Sequence, residues 1–201
     1  MERNSPHKES LKTQIREAYG RVTYTYTSQL QMMNRLTKKY KNTKLFQIAL
    51  SAVSTGGFVS AVITNEPALS IVGGLFSTLL LAVNLYIKDF DLFDEIKQHR
   101  AASDSLWLIR ERYISLLTDL PILAEDEIIH RRDDLQSRTH EIYEQSPKTD
   151  VKSYTDAQRA LKNEEEQFFT SKELDMMLPS HLRCGDSSSL SRLESSPEKV
   201  S

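Results

Sequence analysis

The chain has 201 residues, with 26 Lys+Arg against 28 Asp+Glu and a net charge of −2. That length holds one or two domains rather than a large multidomain enzyme, and the charge balance gives no reason to expect direct nucleic-acid binding. A single cysteine, Cys184, excludes an intramolecular disulfide framework and any Cys-rich zinc module, while 6 Gly and 6 Pro beside 27% charged residues point to an all-α chain.

Residues 1–44 carry 10 basic and 3 acidic side chains. Leu11, Ile15, Ala18, Val22, Thr25/Tyr26, Gln29, Met33, Leu36 and Tyr40 follow alternating steps of four and three, imperfect at Thr25 and Gln29. This pattern predicts a long amphipathic helix whose stripe packs on downstream helices or on a neighbouring subunit. A helix lying on the membrane surface is the alternative, disfavoured by the narrowness of the apolar face.

From Leu45 to Ile87 the only charge is Glu66. Divided at Asn65-Glu66-Pro67, the stretch yields uncharged runs of 20 residues (Leu45–Thr64) and 21 residues (Pro67–Ile87). As helices each reaches about 30 Å, the thickness of a bilayer core. The strongly polar remainder offers no apolar shell for a soluble hairpin of that size, so two transmembrane helices are expected. The first is too long, and too far from Met1, for a signal peptide. Arg35, Lys38, Lys39, Lys41 and Lys44 precede it without an acid, and the turn between the spans has no Lys or Arg. Basic flanks stay inside, so both termini are expected in the cytoplasm.

Gln47, Ser51, Ser54 and Thr55 share one helical face of the first span, with Ala52, Gly56 and Ser60 opposite. In the second, Ser70, Gly73, Gly74, Ser77 and Asn84 fall together. Small, weakly polar stripes suit close helix packing, and repeated around a ring of subunits they would line a pore. Both uses are open, and with two spans per chain a pore requires a homo-oligomer. Glu66 is a candidate outer-mouth residue. Glu66-Pro67 faintly resembles the filter of the mitochondrial calcium uniporter family, but Val62 and Ile63 stand where that family has Trp-Asp. A helix start with Asn65 as cap and Pro67 in the first turn is the favoured reading.

No Gly or Pro interrupts the chain between Gly74 and Pro121, which predicts one helix over residues 67–117, about 77 Å long. Its buried side would take Ile96, Ser103, Leu106, Ile109, Tyr113, Leu116, Leu117 and Leu120, with Trp107 packed among them. Pro121 stops it, a helix follows over Ile122–Gln145, and another starts with Thr155 as cap. Residues 171–178 form a last capped turn. The domains expected are thus a cytoplasmic helix (1–44), a membrane hairpin (45–87), a cytoplasmic helical region (88–183) and a disordered tail (184–201). The basic first region and the acidic third are expected to attract one another.

Chemistry is absent from the motifs. Four of the six glycines lie inside the spans, so no phosphate-cradling loop exists. His140-Glu141 lacks the second His of a zinc helix, and all five histidines read as surface residues. The acidic runs at residues 125–127 and 164–166 fan around their helices instead of converging. No catalytic residue, metal site or cofactor is expected, and the chain reads as a non-enzyme.

The order of parts, with RVTYTYTSQLQ before the first span, SDSLWLIRERYISLLTDLP after the second and YTDAQRALKNEEEQFFTSKELDMMLPSHLR beyond, resembles the SLATT family over roughly residues 8–183. The last segment looks like the subfamily encoded beside reverse transcriptases. The resemblance implies a membrane effector of bacterial antiphage conflict systems at the inner membrane, oligomerising to form a pore or disrupt the bilayer. Its trigger would be a nucleotide second messenger or a neighbouring reverse-transcriptase or nucleotidyltransferase system. The competing reading is a membrane adaptor that tethers a cytoplasmic partner without forming a pore.

Overall fold

The structure, a computed structural model, describes residues 5–64, 66–89, 91–163, 169–179 and 183. The described residues contain α-helices and no strands: α1 (Pro6–Thr64), α2 (Pro67–Asp89), α3 (Leu92–Asp119), α4 (Glu125–Gln145), α5 (Val151–Lys162) and α6 (Ser171–Met177). They divide into two compact units, Met1–Ala157 and Gln158–Ser201, with the boundary inside α5.

In the first unit α1 is the spine. No proline follows Pro6 until Pro67, so nothing breaks 59 residues of helix. Pro6 occupies the first helical position, where its missing N–H costs no bond, and Ser5 Oγ accepts the Lys8 amide at 3.1 Å. Two segments pack antiparallel to this spine, α2 against its C-terminal half and α3 against its N-terminal half. Gly57 meets Gly73, Ser54 meets Ser77 and Gln47 meets Asn84. Farther along, Tyr40 meets Phe93, Gln29 meets His99 and Tyr19 meets Arg110. From the Gly57–Gly73 contact to the Tyr19–Arg110 contact, 38 residues back along α1 are matched by 37 forward through α2 and α3, so one register runs the length of the pair.

The expected uninterrupted helix over 67–117 is therefore corrected. Asp91 (φ −68°, ψ 69°) leaves helical geometry, and its side chain accepts the Asp94 amide at 3.1 Å. A capping carboxylate at this point starts a new helix without Gly or Pro, and the register survives the interruption.

Away from α2, α1, α3 and α4 enclose one core of Leu11, Ile15, Ala18, Val22, Leu106, Ile109, Tyr113, Leu116, Leu120, Ile128 and Leu135. Each fully buried large aliphatic residue contributes about 1.5–3 kcal/mol. The stripe expected on α1 forms this core but changes character midway. Thr23 and Thr27 are buried, and their hydroxyls donate to the Tyr19 and Thr23 carbonyls at 2.9 Å. Such back-bonding satisfies the hydroxyls within the helix and lets the polar positions enter the interface. Trp107 does not join the core. It is 49% exposed, one position past fully buried Leu106, because 100° per residue turns it to the outer face.

Two other boundaries move. The chain needs Pro121 to Ala124 to turn, so α4 begins at Glu125 rather than Ile122. Helix α5 begins at Val151, capped by Asp150, whose Oδ1 accepts the Ser153 amide at 2.8 Å. Thr155 lies inside that helix and bonds back to the Val151 carbonyl. Charge attraction between the basic and acidic regions enters as the Arg35–Asp150 pair joining α1 to the α5 cap. Other ion pairs, such as Arg131–Glu127 and Arg138–Asp134, lie within one helix. In the second unit, Thr170 and Glu173 close a reciprocal capping box at the start of α6, as residues 171–178 predict. Asn65 and the tail over 184–201 lie outside the described residues.

Candidate functional site

Two features of the first unit bear on function: the seam of the apolar hairpin and a buried polar junction where α3 meets α1. In the hairpin, α1 turns Gln47, Leu50, Ser54, Gly57 and Ala61 toward α2, in steps of three and four. On α2 the covered positions are Leu69, Gly73, Phe76, Leu80, Val83 and Ile87, again in threes and fours, with Ser77 beside them. This is the spacing at which two helices keep a continuous contact. Gly57 and Gly73 permit it: a Cβ on Gly57 would lie 3.2 Å from the Gly73 Cα. Beside them Ser54 Oγ donates to the Gly73 carbonyl at 3.2 Å and lies 2.5 Å from Ser77 Oγ. Nearer the bundle, Gln47 Nε2 donates to Asn84 Oδ1 at 2.7 Å.

The expected polar faces are thereby split. Gln47, Gly73, Ser77 and Asn84 meet across the seam. Ser51, Thr55, Gly56, Ser60 and Ser70 are exposed, and nothing lies within 4 Å of a Cβ placed on Gly56 or Gly74. Glu66 is exposed, and its carbonyl starts α2 by accepting the Leu69 amide at 3.1 Å. Sequence reasoning missed Gly57 and Leu50. The signal was present in the alternating three-and-four spacing through Ser54, which outranks a stripe defined by polarity alone.

Away from the seam, large apolar side chains of both spans point outward. Val62 and Ile63 are 84% and 78% exposed, and Ile71 and Leu75 are 66% and 67% exposed. A core helix of a soluble protein buries such residues; these require an apolar solvent.

The junction is built around His99, which is wholly buried, correcting the expectation that all five histidines lie on the surface. His7, His130 and His140 are exposed as expected, and His181 lies outside the described residues. His99 follows Leu92 and precedes Ala102, Ser103 and Leu106 on the buried face of α3, so its burial follows from its place in that stripe. Its Nδ1 donates to Gln29 Oε1, and Gln29 Nε2 donates to the Pro147 carbonyl at 2.9 Å. A carbonyl only accepts, which fixes the amide orientation and hence the imidazole tautomer. His99 Nε2 has no hydrogen-bond partner. Burial pushes the imidazole below its ordinary pKa; Glu95 raises it, Arg35 lowers it further and Asp150 raises it. The Ser153 amide, followed by the Ser153 hydroxyl and Arg35, holds Asp150 below the usual carboxylate range.

Among the described residues no group of three or more His, Cys, Asp or Glu converges as a metal site. A groove of about 400 Å³ between α3 and α4 is lined by Arg112, Arg131 and His130 but also by Asp119, Glu127 and Asp134. Arg131 is engaged by Glu127 at 2.6 Å, so the groove offers mixed charge instead of a phosphate cradle.

Two apolar helices with lipid-facing side chains, continued by a helical bundle, define a two-span helical membrane protein. The chain belongs to the SMODS and SLOG-associating 2TM effector domain family 4 (SLATT_4), which it matches over residues 11–173. The family name is that of a two-transmembrane effector domain of conflict systems. No curated protein and no solved structure matches the chain.

Proposed function

We propose that this protein is a non-enzymatic effector of bacterial antiphage defence that sits in the inner membrane with both termini in the cytoplasm. On a signal from a partner, or from a nucleotide made by a neighbouring system, it assembles through its membrane hairpin and depolarises the cell. The observation that carries this reading is the division of the small and polar membrane residues. Gln47, Ser54, Gly57, Gly73 and Ser77 close the hairpin on itself. Ser51, Thr55, Gly56, Ser60, Ser70 and Gly74 remain on outward surfaces, where they suit contact with a second hairpin or the wall of a pore. The common register of α1 with α2 and α3 supports a link between bundle and membrane, since a shift of α3 along α1 would be transmitted to the seam.

The test is membrane potential, read with a voltage-sensitive dye in cells expressing the chain with its genomic neighbours during phage challenge. Rapid depolarisation that is lost on Gly56→Leu or Gly74→Leu is the expected result. Both substitutions point into open space in the single chain, so their effect reports contacts between chains. Undiminished depolarisation in both variants would overturn the role given to these faces. No depolarisation under any challenge would favour an adaptor that tethers a cytoplasmic partner.

A further inference from the structure

A groove of about 450 Å³ opens on the outer face of the hairpin, at the end where α1 enters the apolar region and α2 leaves it. Phe46, Ala82 and Val83 form its apolar part, while Asn42, Thr43 and Tyr86 line its end nearer the bundle. Lys39 lies one turn from Thr43 and two turns from Phe46 on the same face of α1. Its ammonium is held over the groove end, 3.1 Å from the Tyr86 hydroxyl and 5.7 Å from the Tyr86 ring centroid.

We propose that this groove binds one anionic phospholipid. An acyl chain lies along Phe46, Ala82 and Val83, and the phosphate sits at Lys39. The order of chemistry along the groove is that of the lipid: apolar floor, amide and hydroxyl groups at glycerol depth, then a cation. Lys39 carries three ammonium protons, and Tyr86 receives one, so the others serve phosphate oxygens. Lys38 and Lys41 are exposed on the same stretch, but one and two residues from Lys39 they sit on other faces of α1, and neither lines the groove. A zwitterionic headgroup would bring its own cation toward the Lys39 ammonium, whereas an anionic one brings none. The inference rests on the two-span reading and not on pore formation.

The test uses the full-length chain, purified and loaded with phosphatidylglycerol or with phosphatidylcholine of the same acyl chains, and counts retained lipids by native mass spectrometry. One phosphatidylglycerol per chain is expected, retained over phosphatidylcholine. Lys39→Ala should lower that retention about fivefold, the value of one lysine at a membrane surface. Ala82→Trp should lower it by filling the floor while all charges remain. The double variant Lys38→Ala/Lys41→Ala is expected to retain the lipid. Circular dichroism confirms that each variant keeps its helices. Equal loss in the double variant would mean diffuse surface attraction and would overturn the site. Equal retention of phosphatidylcholine, no retained lipid, or an Ala82→Trp variant that binds normally would each overturn it as well.

Discussion

Gln29 joins His99 to Pro147: one amide accepts from the imidazole of α3 and donates to the carbonyl that follows α4. A single side chain of α1 thus ties two other segments to the spine, and the imidazole it holds is fully buried.

Acidification should loosen this junction. The ordinary imidazole pKa is 6.5, and burial in the folded chain lowers it, with Glu95 and Asp150 opposing and Arg35 adding to the shift. The unfolded chain therefore binds the proton more readily. The contribution of His99 is complete above about pH 6.5 and declines as pH falls below it, by at most about 1.4 kcal/mol per pH unit. Thermal unfolding at pH 7.5 and 5.5 should show a larger drop for the parent chain than for His99→Gln. Equal drops would show that His99 is not the titrating group.

The seam makes a register prediction. Ser54→Cys with Ser77→Cys, in a Cys184→Ser background, should crosslink rapidly under mild oxidation, because the two hydroxyls lie 2.5 Å apart. Adding Gly57→Leu should suppress the crosslink, since even a Cβ there crowds the Gly73 backbone. Overpacking of this kind costs about 1–3 kcal/mol. Gly56→Leu, facing open space, should leave the intramolecular crosslink intact, which separates hairpin closure from assembly.

Neighbouring residues on α3 should respond oppositely. Leu106→Ala removes a fully buried side chain from the three-helix core and should cost about 2–5 kcal/mol. Trp107→Ala, at a half-exposed position, should change stability by less than about 0.5 kcal/mol despite the larger deletion. Chemical denaturation of both variants checks the pair.

Asp150 combines two tasks, capping α5 and pairing with Arg35. Asp150→Ala should destabilise α5 by about 1 kcal/mol, the value of a lost cap. Asp150→Asn keeps an acceptor for the Ser153 amide and should lose less. Hydrogen exchange over residues 151–157 would report the difference. Because the Asp150 pKa is depressed in the fold, its stabilisation is present above the ordinary aspartate range and is lost as pH falls through the folded value.

The two spans, the long helix ahead of them and the stops at Pro121 and Ser146-Pro147 were legible as runs of like hydropathy and as local backbone chemistry. Both signals act along the chain, so they survive without knowledge of any neighbour. The interruption at Asp91 was missed because a carboxylate capping its own helix leaves no Gly or Pro to announce it. Trp107 lies outside the core despite its size, because a single 100° step from Leu106 decides which face it takes.

The sequence alone determined that this is an all-α chain with two apolar spans and flanks too polar to bury them. Which small residues close the hairpin and which face outward was decided by the tertiary structure. Ser51 and Ser54 have the same chemistry, and only the line of closest approach set by Gly57 and Gly73 distinguishes them. The same holds for His99, whose burial depends on α1 lying in a register that brings Gln29 opposite it. Hydropathy is a property of each residue and can be read in one dimension; contact between helices depends on their mutual rotation and axial offset, which the chain fixes only when it folds.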